Sequence, residues 1–107
     1  MTTRGAPDRT TSAIASPSTS RTTRDIDAKA PTHVLVIPRA HVASLDAATD
    51  AAMLGALQLA AAAIARSEGI AASGYRTVIN SGPDAGQTVF HVHLHLLGGR
   101  KLGWPPG

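Results

Sequence analysis

The chain has no cysteine and only three aromatic residues, Tyr75, Phe90 and Trp104. The first absence rules out a disulfide framework and a thiolate metal site, and it fits a reducing compartment, with the cytoplasm as the expected setting. The second means that any core is assembled from Ala, Leu, Val and Ile, and at 43% hydrophobic residues the chain has enough of them. No apolar run approaches the ~20 residues of a membrane span. The N-terminus lacks the apolar centre of a secretory signal. Acidic residues are missing from Leu96 to Gly107.

At 107 residues the chain is sized for one small domain. Its net charge of +3 is spread thinly. Residues 1–30 hold five basic side chains against three acidic ones, and the remainder holds five against four. No basic stripe forms, so neither nucleic acid nor a membrane surface is an expected partner.

Residues 1–24 contain eleven Ser or Thr and little to bury. That composition cannot offset its ordering entropy, and a disordered tail is expected there. Thr32–Ile37, closed by Pro38, is rich in β-branched residues and reads as a strand. Thr49 is the expected N-cap of a helix over residues 51–68, with Asp50 in the first turn. Met53, Leu54, Leu57, Ala61 and Ile64 fall on one helical face, and Gly69 is the natural stop. Tyr75–Asn80 alternates like a strand, SGPDAG supplies a turn, and Thr88–Leu97 reads as the last strand. The order strand, helix, strand, turn, strand predicts an α+β domain with a mainly antiparallel sheet packed by one long helix.

The stretch HVHLHLL, residues 91–97, carries three of the five histidines. On a strand, His91, His93 and His95 share one face while Val92, Leu94 and Leu96 share the other, facing the core. A solvent face that happens to be rich in histidine is the bland reading. A metal site is the second, but no acid follows to complete it. Three alternate histidines also span about 13 Å at ~3.3 Å per residue, too far for one ion to bind all three at ~2.1 Å. The third reading is phosphorus chemistry. Imidazole titrates near ~6.5 and is mostly neutral at neutral pH. It needs orientation more than activation, and neighbouring imidazoles can stabilise developing charge.

HVHLHLL resembles the signature of the histidine triad (HIT) superfamily. APTHVLVIPRAHV, GYRTVINSGPDAGQTVFHVHLHLLGGR and the terminal WPPG are similar to its Hint branch, the histidine triad nucleotide-binding proteins. The resemblance runs over residues 25–107, which form the expected domain. It implies a hydrolase acting at the α-phosphorus of purine nucleoside phosphoramidates through a nucleotidyl-histidine intermediate, without metal or cofactor, in a homodimer. By resemblance His93 is the nucleophile, His91 helps to orient it, and His95 contacts the phosphate or the leaving-group side. Gln87 and Thr88 match a phosphate-contacting pair, and Asn80 and the backbone at Gly86 match further phosphate contacts. Asp25 matches a ribose-binding acid, Ile26 a base-pocket residue and His33 a histidine behind the triad. Taken alone, His33 reads as structural, Asn80 as a turn residue and Gly86 as a source of positive φ. His41 carries no assignment.

The chain departs from the family pattern before residue 25. Thr22, Thr23 and Arg24 stand where an aromatic-bearing strand belongs. The departure implies a domain truncated on its N-terminal side, with two strands and one wall of the base pocket missing or replaced. Two other functions fit the same residues: a nucleotide- or protein-binding module with weak catalysis, and a dinucleoside polyphosphate hydrolase or nucleotidyl transferase. The LGGR and WPPG segments favour the Hint branch over the latter.

Overall fold

The computed structural model describes the backbone of Thr10–Thr11 and Ser20–Arg24 and the whole of residues 30–107. The strands are β1 (Thr10–Thr11), β2 (Ser20–Arg24), β3 (Thr32–Pro38), β4 (Tyr75–Val78) and β5 (Leu94–Gly98). Helix α1 (Ala51–Ser67) lies between β3 and β4 in the chain. All five strands form one sheet in the order β1-β2-β3-β5-β4, with every neighbouring pair antiparallel. This is the expected α+β architecture. Among the described residues no helix is long and apolar enough to cross a membrane.

Of the two expectations for the N-terminal strands, missing or replaced, replacement holds, and part of the segment expected to be disordered is strand. The sheet does not stop at β3: Ser20–Arg24 pairs along β3, from Ser20 opposite Pro38 to Arg24 opposite Val34. Thr10 and Thr11 then pair with Thr23 and Thr22. Thr is a good strand residue, and ladder bonds are made by backbone, so a Ser/Thr/Arg segment can extend a sheet whose core lies elsewhere. The rest of the 1–24 segment expected to be disordered lies outside the described residues.

The helix begins at Ala51, as predicted, but with a different cap. Asp50, not Thr49, is the N-cap, and its side chain accepts a hydrogen bond from Met53 N at 3.1 Å. A carboxylate there also meets the positive end of the helix dipole. Gly69 does end the helix, at φ 77°. Its N–H bonds Arg66 O and that of Ile70 bonds Ala65 O, the paired arrangement of a Schellman motif. Ile70 is thereby turned into the core.

The core lies between α1 and one sheet face. Val34 and Val36 of β3 and Leu94 and Leu96 of β5 pack on Met53, Leu57, Ala60, Ala61, Ile64 and Ala65, with Val92 beside them. The three alanines bring the helix close to the sheet, as their small size predicts. Gly98 is another close approach: a Cβ there would stand 2.5 Å from Ile70 Cδ1.

Both C-terminal strands are shorter than expected. β4 ends at Val78, not Asn80, and β5 begins at Leu94, not Thr88. Continuing the pairing of Val36 with Leu94 would set Pro38 opposite Val92, and proline has no N–H to donate. Val92 N instead donates to Val42 O, in the loop after β3, at 2.6 Å.

Leu94 is fully buried whereas Leu59, on the outer side of α1, is 70% exposed. Leu94→Ala is expected to lower unfolding free energy by roughly 2–5 kcal/mol and Leu59→Ala by less than about 0.5 kcal/mol, both read by urea denaturation.

Candidate active site

Register decides which side chains meet. Leu35 stands opposite His95, and His33 stands opposite Leu97. These positions occupy the face away from α1, since Val34, Val36, Leu94 and Leu96 face the helix. Before β5 the alternation persists without the ladder: Val92 is buried while His91 and His93 are half-buried. The three histidines expected on one face are on one face.

The central imidazole is oriented by its own backbone. His93 Nδ1 lies 2.7 Å from His91 O. A carbonyl only accepts, so Nδ1 carries the proton and Nε2 of the neutral ring carries the lone pair. Geometry thus defines the basic nitrogen of His93. Its ring stands edge-on to that of His95, with centroids 5.0 Å apart.

Each flanking histidine is paired with another. His95 Nδ1 is 2.9 Å from His33 Nε2, and His33, at 5% exposed, is buried. One of those nitrogens donates and the other accepts, so a proton lies between two otherwise neutral rings. His33, predicted behind the triad, is in direct contact with it. At the other end His91 Nε2 is 3.0 Å from Pro38 O, and His91 Nδ1 is 3.0 Å from His41 Nδ1. His41 carried no assignment from sequence. It lies 50 residues from His91, and no local pattern connects them.

Gln87 behaves differently from expectation. It is buried, and its Nε2 donates to both Ala43 O (2.8 Å) and Val89 O (3.1 Å) while its Oε1 accepts from Gly82 N (2.9 Å). Both amide hydrogens are used, so none remains for a phosphate oxygen. Gln87 ties the loop carrying Thr88 and Phe90 to the loop after β3. Gly86 has φ 92°, and its N–H is taken by Pro83 O, closing a short 3-10 turn over Pro83–Ala85. Its conformation therefore accounts for glycine there, and its amide is not directed at a ligand. Thr88 is exposed and Asn80 half-buried on the two sides of that turn. Asp25 and Ile26 lie outside the described residues.

The HIT domain family matches residues 7–102. The chain belongs to that family. The match begins well before residue 25, over the part of the chain that contributes β1 and β2. An uncharacterized HIT-like protein from Synechococcus elongatus is 57% identical over 86 residues, covering 78% of this chain and 75% of that protein. A 14 kDa zinc-binding protein from Zea mays is 47% identical over 92 residues, covering 78% and 68%. Among solved structures, a HIT family hydrolase from Legionella pneumophila superposes with a TM-score of 0.81 at 43% identity, covering 83% and 81%. The name of the maize relative raises the fit of a metal here. Among the described residues no group of three or more His, Cys, Asp or Glu side chains is arranged to hold an ion. The nitrogens of the two histidine pairs face each other at hydrogen-bond distance, whereas a shared metal requires lone pairs that converge on the ion. This arrangement does not fit a zinc centre.

Gln87→Glu would set carboxylate oxygens against the carbonyls of Ala43 and Val89. It is expected to destabilise the fold by about 1–3 kcal/mol, and urea titration showing unchanged stability would remove Gln87 from its role as the tie between the two loops.

Proposed function

We propose that this HIT domain protein is a hydrolase of purine nucleoside phosphoramidates and that His93 is its nucleophile. The observation that carries the reading is the His93 Nδ1–H bond to His91 O at 2.7 Å, which leaves the Nε2 lone pair on a half-exposed ring. Similarity to a HIT family hydrolase supports hydrolysis, and the segments GQTVFHVHLHLLGGR and WPPG support the Hint-like substrate class.

In the first step His93 Nε2 attacks the α-phosphorus. The phosphorus–nitrogen bond to the amine breaks, and the amine leaves after taking up a proton from solvent water. The phosphorylated ring is cationic, and its Nδ1–H remains bonded to His91 O. In the second step water attacks phosphorus, gives up a proton to solvent, and the bond to Nε2 breaks, releasing the nucleoside monophosphate and restoring neutral His93. His95, whose ring adjoins that of His93 and whose Nδ1 is hydrogen-bonded to His33 Nε2, is the neighbour assigned to accommodate charge on the phosphoryl group in this reading. No step requires a metal.

His93→Ala should reduce release of amine from an adenosine phosphoramidate on the order of 10⁴-fold or more, while EDTA leaves the wild-type rate unchanged. Base-quenched wild-type enzyme should carry one nucleotidyl group, seen by intact-protein mass spectrometry. Turnover by the alanine variant at the wild-type rate would end the assignment.

The same reading includes a homodimer in the cytoplasm. Among the described residues β4 is an edge strand of the sheet, and an edge strand can pair with a second copy. Trp104, 80% exposed, lies near that edge, since Arg76 of β4 donates to Gly103 O at 2.9 Å and stands 5.8 Å from the Trp104 ring centre. Sedimentation equilibrium should give twice the chain mass at micromolar concentration, and a monomer there would remove the dimer from the proposal.

A further inference from the structure

Residues 88–93 run outside the sheet, yet the carbonyl of His91 aims the His93 ring. Something other than the ladder has to hold residue 91 still. Three bonds are available. Val92 N bonds Val42 O at 2.6 Å, His91 Nε2 bonds Pro38 O at 3.0 Å, and His91 Nδ1 meets His41 Nδ1 at 3.0 Å. Pro38 ends β3, and His41 and Val42 lie in the loop that follows it.

The protons in this set can be assigned. Pro38 O accepts, so His91 Nε2 donates. In neutral His91 the Nδ1 is then an acceptor, and His41 Nδ1 must be the donor. The other nitrogen of His41, Nε2, is on an exposed ring. The His91 ring is gripped at both nitrogens, by a carbonyl on one side and an N–H on the other. Only one neutral tautomer satisfies both.

We propose that His41 is a positioning residue of the active site: its Nδ1–H bond locks His91 in the Nε2–H tautomer and so fixes the carbonyl that orients His93. The peptide carrying the His91 carbonyl is held directly by the bond from Val92 N to Val42 O, and the doubly bonded ring anchors the His91 side of that peptide. A ring held at one nitrogen alone could turn about its Cβ–Cγ bond or exchange tautomers, and residue 91 would lose one of its three restraints. This role rests on the nucleophilic reading of His93, but the bond itself is testable without turnover.

Long-range proton–nitrogen NMR spectra of the full chain should show His91 protonated at Nε2 and bare at Nδ1. In His41→Ala the two His91 nitrogens should shift toward averaged values, and kcat for amine release should fall ten- to a hundredfold, roughly the scale of a misaligned reacting group, with KM little changed. In His41→Asn, whose side-chain N–H can donate from near the former Nδ1 position, the His91 nitrogen shifts and most of the rate should return. Identical His91 nitrogen shifts in wild type and His41→Ala would overturn the proposal, as would an asparagine variant indistinguishable from alanine in both readouts. A wild-type protein without phosphoramidate turnover would instead overturn the hydrolase reading, and the nitrogen shifts would still decide the role of His41.

Discussion

The active site depends on a constraint imposed by the other side of the same strand. Val92, Leu94 and Leu96 are 1%, 0% and 0% exposed, and α1 covers them with small and branched side chains. Slipping that segment by one residue would turn His91, His93 and His95 into the helix and three aliphatic side chains outward. Burying imidazoles against Leu57 and the helix alanines would leave their nitrogens without partners, at a cost of about 1–3 kcal/mol for each unsatisfied group. The register of the histidines is therefore secured by apolar packing, at no expense to their own freedom to bind. The helix needs no functional residue for this task. Its Asp50 cap and Gly69 stop set where it lies along the sheet, and its alanines set how closely.

A second condition is that the ladder ends at the right place. β3 stops at Pro38, which cannot donate, and β5 starts only at Leu94. Pro38 O accepts from the His91 side chain, and His91 O accepts from the His93 side chain. In a continued antiparallel ladder, backbone amides would compete for such carbonyls. The departure from regular strand is thus what makes backbone oxygen available to hold imidazole. Residues 87–92 are then kept in place by other means, with Gln87 bonded to three backbone groups and Val92 bonded to Val42.

Legibility in the sequence divides along physical lines. The histidine face, the helix with its core face and terminating glycine, and the α+β class were readable, because two- and 3.6-residue periodicities are local. The limits of β4 and β5 were not, because they depend on which partner strand is present opposite each residue. β1 and β2 were missed because composition reports on side-chain burial, whereas Ser20–Arg24 joins the sheet through backbone pairing. Gln87 was expected to contact phosphate from its match to the family pattern, and a matching residue type does not say whether its amide faces a ligand or a neighbouring loop. His41 left no trace at all. Its partner is fixed by the path of the chain after Pro38, which periodicity does not describe.

The partners of His93 also fit the charge of the proposed substrate. His93 is oriented by a carbonyl rather than a carboxylate, and His91 by a carbonyl and a neutral imidazole. A carboxylate would hold the Nδ1 proton more strongly, but it would place a negative charge one ring away from a phosphoryl group that is itself anionic. At an effective dielectric of ~20, unit charges 4 Å apart interact by about 4 kcal/mol, and even at greater separation the repulsion would oppose binding. A carbonyl dipole supplies the orientation with a fraction of that penalty. In the proposed reaction, phosphorus bonded to Nε2 would make the ring cationic while its Nδ1–H stays directed at His91 O, and that bond would become charge-assisted and stronger in the intermediate than in the free enzyme. An interaction that gains strength as the reaction proceeds lowers the barrier; one equally strong throughout would only tighten binding.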